Sequence, residues 1–225
     1  MKYFKITQNT DSKIIGKYPQ VKDLKINFHE ARASQWGKID EWKSDDDIPD
    51  LNNFLLHPKS KLTDCLSNNF VFETSGLIMS SKCKQILDSF SVNGKFYTAT
   101  VYKSDEEIYY DYYFLHYEMS SISKINFKKS SFIEYNISTL EVGNIVLVED
   151  FEDYKEKVES LRVSKNDEIA LWDLFPKSIH LNHAYDLTPM FKLGLICNEN
   201  IKKVIEENQL TGFDFRPIDV EILFE

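Results

Sequence analysis

Glycine is scarce in this chain: seven among 225 residues. Loops that cradle phosphate with backbone N–H groups therefore have little material, and neither a Walker loop nor a dinucleotide glycine fingerprint occurs. The H-E-x-x-H, G-x-S-x-G and kinase signatures are also missing. Only three cysteines are present, Cys65, Cys83 and Cys197. Their odd number and unpaired spacing suit a reducing compartment and predict no disulfide. No window approaches the roughly 18 consecutive apolar residues of a membrane span. The opening MKYFKITQNT lacks the apolar run of a secretory signal. A cytoplasmic location is expected.

Positive charge is the other deficit, with 27 Lys and Arg to 36 Asp and Glu and a formal net charge of −9. Residues 1–60 hold 10 basic to 9 acidic side chains, which leaves 17 to 27 in the rest. Such a body repels a nucleic acid backbone, whose binding depends on Lys and Arg displacing counterions. A basic partner would be attracted.

What the chain does hold is a repeat. GLIMSSKCKQILDSFSVNGKFY (76–97) is echoed by GLICNENIKKVIEENQLTGFDF (194–215) at a constant offset of 118 residues. Gly-Leu-Ile, Lys84 with Lys202, and Gly94 with Gly212 coincide, as do Ile86 with Val204, Leu87 with Ile205 and Asp88 with Glu206. In each copy an apolar run precedes a capping residue, Ser80 or Asn198, whose side chain can accept an unpaired N–H of a first helical turn. Apolar side chains then recur at helical spacing: Cys83, Ile86, Leu87, Phe90 and Ile201, Val204, Ile205. Asn93-Gly94 and Thr211-Gly212 supply turns. Each copy is therefore predicted to be strand, capped helix, turn, strand, burying Cys83, Ile86 and Leu87, and Ile201, Val204 and Ile205, against sheet.

Between the copies the pattern is mostly β. KFYTATVY and IYYDYYFLHY form a hairpin candidate across an acidic turn, and the second strand is aromatic on both faces, which predicts a central strand covered on both sides. NIVLVED reads as a strand, DYKEKVESLRV as a short solvated helix, and EIALWDLFP as an element ending before Pro176. Pro217 should lie at a sheet edge or bulge. The fold class expected is α+β, with mixed, mostly antiparallel sheets around the duplicated unit. The division expected is an irregular N-terminal extension over 1–70 packed on an α+β domain over 71–225.

Candidate chemistry is sparse. His180, His183 and Asp186 form H-x-x-H-x-x-D, which on a helix would share a broad face and suit zinc, but leucines interleave and no fourth ligand is evident. Cys197 lies at a helix N-terminus, where a thiol is acidified, yet its counterpart Met79 has no such chemistry. No catalytic, cofactor or metal residue is assigned.

The motifs LIMSSKCKQIL, YYDYYFLHY, INFKKSSF, LWDLF and LICNENIKKVIEENQLTGFDFRP, in that order over about residues 70–217, resemble those of a family of bacterial immunity proteins. These are the intracellular antidotes of polymorphic or contact-dependent toxins, formerly a domain of unknown function. Asn126 stands where the family pattern has an acidic residue. The resemblance implies stoichiometric binding of a cognate toxin domain, for which a basic nuclease would suit the acidic charge. It implies neither catalysis nor binding to nucleic acid or membrane. The docking residues expected are the acidic loops Asp45, Asp46, Asp47 and Asp50; Asp105, Glu106 and Glu107; and Glu149, Asp150, Glu152 and Asp153. Trp36, Trp42 and Phe151 are expected as aromatic anchors. Two alternatives remain open: a non-catalytic small-molecule or peptide-binding module, and an unrecognised enzyme anchored on His180, His183 and Asp186.

Overall fold

The computed structural model describes residues 2–25, 51–68, 76–104, 106–117, 121–166 and 169–224. The fold is α+β. It comprises a larger unit, Lys2–Met119 with Tyr185–Arg216, and a smaller one, Ser120–Ala184 with Pro217–Glu225. The boundary expected after residue 70 lies outside the described residues. Part of the supposed extension is ordinary sheet, because the first strand takes its partners from the far end of the chain.

In the larger unit, β1 (Tyr3–Gln8) is followed by a helical turn α1 (Ser12–Ile15), β2 (Val21–Leu24), β3 (Phe54–Leu56), β4 (Cys65–Leu66), β5 (Gly76–Ser80), α2 (Ser81–Leu87), β6 (Lys95–Tyr102) and β7 (Ile108–His116). After the smaller unit come β11 (Leu187–Met190), β12 (Gly194–Asn198), α4 (Glu199–Glu207) and β13 (Phe213–Pro217). One sheet has the order β2-β3-β6-β7-β5-β4 and the other β11-β12-β1-β13.

The predicted repeat is present as strand, helix, turn, strand in both copies. Ser80 Oγ accepts from Cys83 N at 3.2 Å and Asn198 Oδ1 from Ile201 N at 3.0 Å, so each predicted cap closes its helix. Cys83, Leu87, Ile201 and Ile205 are buried in one shared core, with Ile86 packed against it, while Val204 is only half-buried. Burying each of the leucine and isoleucine side chains contributes about 1.5–3 kcal/mol.

Each copy also encloses a strand from elsewhere. β5 and β6 both run antiparallel to β7, which lies between them. β12 runs antiparallel to β1, and Asn9 N donates to Gly212 O at 2.8 Å, so the end of β1 meets the start of β13. The two copies are thus split β-α-β units, with β7 and β1 as the inserted strands.

The repeated lysines play matching parts. Lys84 pairs with Asp88 and lies over Phe96 of β6 and Tyr113 of β7. Lys202 pairs with Glu206 and lies over Phe215 of β13 and Phe4 of β1. In both copies one ammonium covers an aromatic from the return strand and one from the inserted strand.

The copies are joined by two aspartates. Asp64 precedes β4; its Oδ1 accepts from the cap hydroxyl of Ser80 at 2.8 Å, and its Oδ2 from Thr211 N, beyond the other helix, at 2.8 Å. Asp186 precedes β11; its Oδ1 accepts from the cap amide of Asn198, and its Oδ2 from Ser91 N, beyond the first helix, at 2.8 Å. Backbone bonds follow the same plan: Ser80 N to Asp64 O and Asn198 N to Asp186 O, both 2.8 Å, with Cys65 N to Thr211 O at 3.0 Å and Leu187 N to Ser91 O at 3.2 Å. Each carboxylate therefore braces its own helix cap and grips the loop that ends the other helix.

The aromatic strand β7 is central, as expected, but only its second half is covered. Tyr112 and Phe114 enter one core, and Leu115 and Tyr117 the other. Tyr110 is 72% exposed and Asp111 is exposed too. Pro217 closes the edge strand β13, where its missing N–H costs no ladder bond.

The smaller unit holds β8 (Ser131–Asn136), β9 (Val142–Leu147), α3 (Phe151–Ser164), β10 (Trp172–Leu181) and β14 (Glu221–Phe224), with sheet order β14-β10-β8-β9. The helix predicted as solvated does bury a face, through Tyr154, Val158 and Leu161. The element expected to end before Pro176 instead runs through it to Leu181, in an interior strand. The register shift between Pro176 and Ser178 absorbs the proline.

Candidate functional site

Among the described residues β9 is the outer strand of the smaller sheet, and its sequence VGNIVL carries no charge. Its extra residue sets its geometry. Ile133 faces Ile145 while Tyr135 faces Val142, so three residues of β9 span two of β8, a bulge at Gly143-Asn144. A bulge keeps Val142 in phase with Ile145 and Leu147, and all three share one face of the sheet with Ile133 and Tyr135. They are 58%, 58% and 69% exposed.

The backbone points the same way. Glu141 O accepts from Asn136 N at 2.9 Å, and Asn144 N donates to the Glu134 carboxylate of β8 at 3.2 Å, so both groups face inward. Strand alternation then turns the N–H and C=O groups of Val142, Ile145 and Leu147 outward. Leu147 O accepts from Lys157 Nζ of α3 at 2.8 Å, on that outer side.

Gly143 makes room for Glu134. A Cβ at this position would lie 2.3 Å from Glu134 Oε2, so the glycine lets the carboxylate lie along β9. The hairpin tip is apolar as well, with Ile137 and Leu140 exposed. Asn136 Oδ1 accepts from Ser138 N at 2.9 Å and Thr139 N at 3.0 Å, which folds the tip over and leaves Leu140 at φ 60. That left-handed conformation costs a non-glycine residue about 1–2 kcal/mol. A strained leucine facing water contributes little to this fold.

The expected docking residues fall in several places. Asp45, Asp46, Asp47, Asp50, Trp36, Trp42 and Asp105 lie outside the described residues. Glu106 and Glu107 are exposed in the β6–β7 turn, where Ser104 Oγ accepts from both backbone N–H groups. The Tyr109 hydroxyl, and after it Lys103, hold the Glu107 carboxyl below the usual range.

Glu149, Asp150, Glu152 and Asp153 form the N-terminus of α3, opposite in sign to the helix dipole. Asp150 caps Asp153 N at 2.9 Å, while Asp153 accepts from Glu149 N at 2.8 Å and pairs with Lys157 at 2.6 Å, a reciprocal capping box. The Lys157 hydrogen bond, and after it that of Glu149 N, keep the Asp153 carboxyl low. Phe151 is half-buried, 6.0 Å from Tyr154 and 6.2 Å from Phe127. It anchors the helix within its own unit.

The remaining candidates separate. His180 lies in β10 and His183 beyond it, on no helix, and Asp186 is the helix brace. Among the described residues no group of three His, Cys, Asp or Glu side chains is placed to hold a metal ion. The three cysteines are free and buried. Burial pushes the Cys65 thiol well up, and the Cys83 and Cys197 thiols to about 12, outweighing the charge of Lys202 near Cys197. These thiols keep their protons to higher pH in the folded chain than their ordinary value of 9.0 allows. The stability they carry is present below about pH 9 and is lost as pH rises toward 12. Denaturation midpoints should fall across that window, and a thiol reagent at pH 8 should label the native protein only at its unfolding rate.

No helix among the described residues is long and apolar enough to cross a membrane. No known family model matches the chain, and no curated protein matches it.

Proposed function

We propose that the protein is an immunity protein, which binds a cognate bacterial toxin domain in the cytoplasm and blocks it stoichiometrically, without catalysis. The observation that carries this reading is β9: an exposed apolar strand with Glu141 and Glu149 beyond its two ends and the Glu134 carboxylate alongside Gly143. Contiguous apolar surface with a charged rim marks a protein-binding site more often than a catalytic one. The ordered family motifs support the reading, and the acidic excess suits a basic toxin domain. The direct test is to mix the protein with the C-terminal domain of the protein encoded immediately upstream, then measure complex formation and toxic activity against molar ratio. Neutralisation that saturates at one equivalent supports the reading; full activity at excess protein overturns it.

The acidic clusters bear on speed. Complementary charge raises encounter rates by up to a few powers of ten at low salt. Replacing Glu149, Asp150, Glu152 and Asp153 together by Asn should slow association at low ionic strength and leave it nearly unchanged at high salt. Asn retains the helix cap, so the rate reports charge. Exchanging Glu106 and Glu107, or the aspartates at 45–47 and 50, gives the companion measurements; wild-type rates in all three variants would reduce these clusters to solubility.

A further inference from the structure

We infer that the outer edge of β9 is a strand-docking site, and that its occupant is an extended apolar segment of the partner protein flanked by Lys or Arg. The inference rests on the toxin-binding reading and specifies its geometry.

Exposed sheet edges are normally protected by lysine, proline, an inward charge, a bulge or a covering element. β9 has no charged side chain of its own and no proline, its bulge is its own protection, and among the described residues it is the last strand of its sheet. Side-chain face and peptide direction alternate together along a strand, and the bulge shifts both by one residue, so Val142 stays in step with Ile145 and Leu147. Val142, Ile145 and Leu147 turn their peptide groups outward and carry their side chains on one face, beside Ile133 and Tyr135. An added strand would gain ladder hydrogen bonds from Val142 and Ile145, and apolar contacts from all three. The outward carbonyl of Leu147 is held by Lys157, 38% exposed, which would have to swing aside for the ladder to extend.

Charge selects the occupant. Glu134 lies along Gly143, Glu141 abuts one end of the strand, and Glu149 with Asp150 follows the other. A second copy pairing antiparallel about Ile145 would set Glu141 of each chain opposite Glu149 of the other, and pairing about Asn144 would set it two residues away, a repulsive cross-strand arrangement. A strand with basic ends meets these carboxylates with opposite charge. Leu140 extends the apolar surface at the hairpin tip, which gives its strained conformation a use.

The test uses the full-length protein and the same C-terminal domain of the protein encoded upstream. Ile145→Pro removes an outward N–H, so β8–β9 pairing should persist while docking fails, with affinity falling about a hundredfold. Ile145→Lys changes only an exposed side chain and serves if the proline variant does not fold; it should also weaken binding. Leu140→Gly should raise the thermal midpoint yet weaken binding, opposite signs that a merely structural residue would not give. In the wild-type complex the Val142 and Ile145 amides should become protected from hydrogen exchange.

A complex that forms with unchanged exchange at these amides, and with wild-type affinity in both Ile145 variants, overturns the docking edge but not neutralisation. If no complex forms, the neutralisation reading fails. The edge is then tested with synthetic peptides that alternate Val and Thr between Lys ends or between Glu ends. Binding of the Lys-ended peptide alone, with shifts at Val142 and Ile145, supports the edge; equal binding of both, or of neither at millimolar peptide, overturns it. A free protein that is dimeric in sedimentation and becomes monomeric with Ile145→Lys would assign the edge to a second copy and overturn the proposed occupant.

Discussion

Replacing Asp64 by Ala is expected to destabilise the larger unit by about 2–3 kcal/mol, and Asp186→Ala by a similar amount. Each carboxylate accepts from a helix-capping side chain and from a backbone N–H beyond the opposite helix. Hydrogen bonds to a charged group contribute about 1.5–3 kcal/mol each, and half-exposure of both aspartates reduces the sum. Removing either also leaves a backbone N–H of the opposite loop without its side-chain acceptor. The matched geometry makes the comparison sharp: similar losses are expected although the residues are far apart in sequence. Hydrogen exchange of α2 and α4 amides reads the effect directly, since two units need not unfold in one step. If both variants exchange like wild type, the aspartates are surface ornaments and the brace has no energetic role.

Gly212→Ala should be the most damaging small substitution, at about 3–5 kcal/mol, with loss of soluble protein at physiological temperature. Gly212 has φ +91, and a Cβ there would lie 2.0 Å from the Cys65 carbonyl oxygen. That oxygen belongs to β4 backbone in the shared core and cannot retreat without moving the strand. Gly194 supplies the control. It also has a left-handed φ, +82, but its nearest neighbour is Lys5 Cε at 3.5 Å, the end of a mobile side chain. Gly194→Ala should therefore cost only the conformational penalty, about 1–2 kcal/mol. Equal midpoints for the two variants would show that collision with β4 contributes nothing.

The repeat was legible in the sequence because helix caps and apolar spacing are local, and both copies keep them without a gap. Its aspartate braces were not. Asp64 lies 16 residues before its cap and Asp186 only 12 before its own, so the constant offset is lost there. The loop partner shifts as well: Thr211 answers in one copy and Ser91, not Asn93, in the other. β9 was legible as a strand, but its place at the outside of the sheet was not, because strand order among the described residues is set by pairings remote in sequence. The exposed half of β7 was misjudged for the converse reason: Tyr109 and Tyr110 have the composition of a core strand and sit at a hairpin tip. The acidic run beside Phe151 read as a loop, whereas the spacing Asp150 to Asp153 is that of a helix cap, a local signal the charge obscured.

The insertion of β1 between β12 and β13 has a temporal consequence. Residues 3–8 leave the ribosome about 190 residues before the strands that flank them. At about 5–20 residues per second, the opening strand waits roughly ten to forty seconds before either neighbour exists. Closing that sheet joins segments about 190 residues apart, among the most remote pairings a chain of this length can make, and such pairings fold slowly. The hairpin β8-β9 is made well before this closure and its third strand β10 shortly before it, while β14 follows. The apolar edge of β9 is then exposed while the larger unit is still unfinished, so nascent copies on one message face their greatest risk of edge-to-edge association during synthesis. The carboxylates around β9, all made by residue 150, are in place to oppose it.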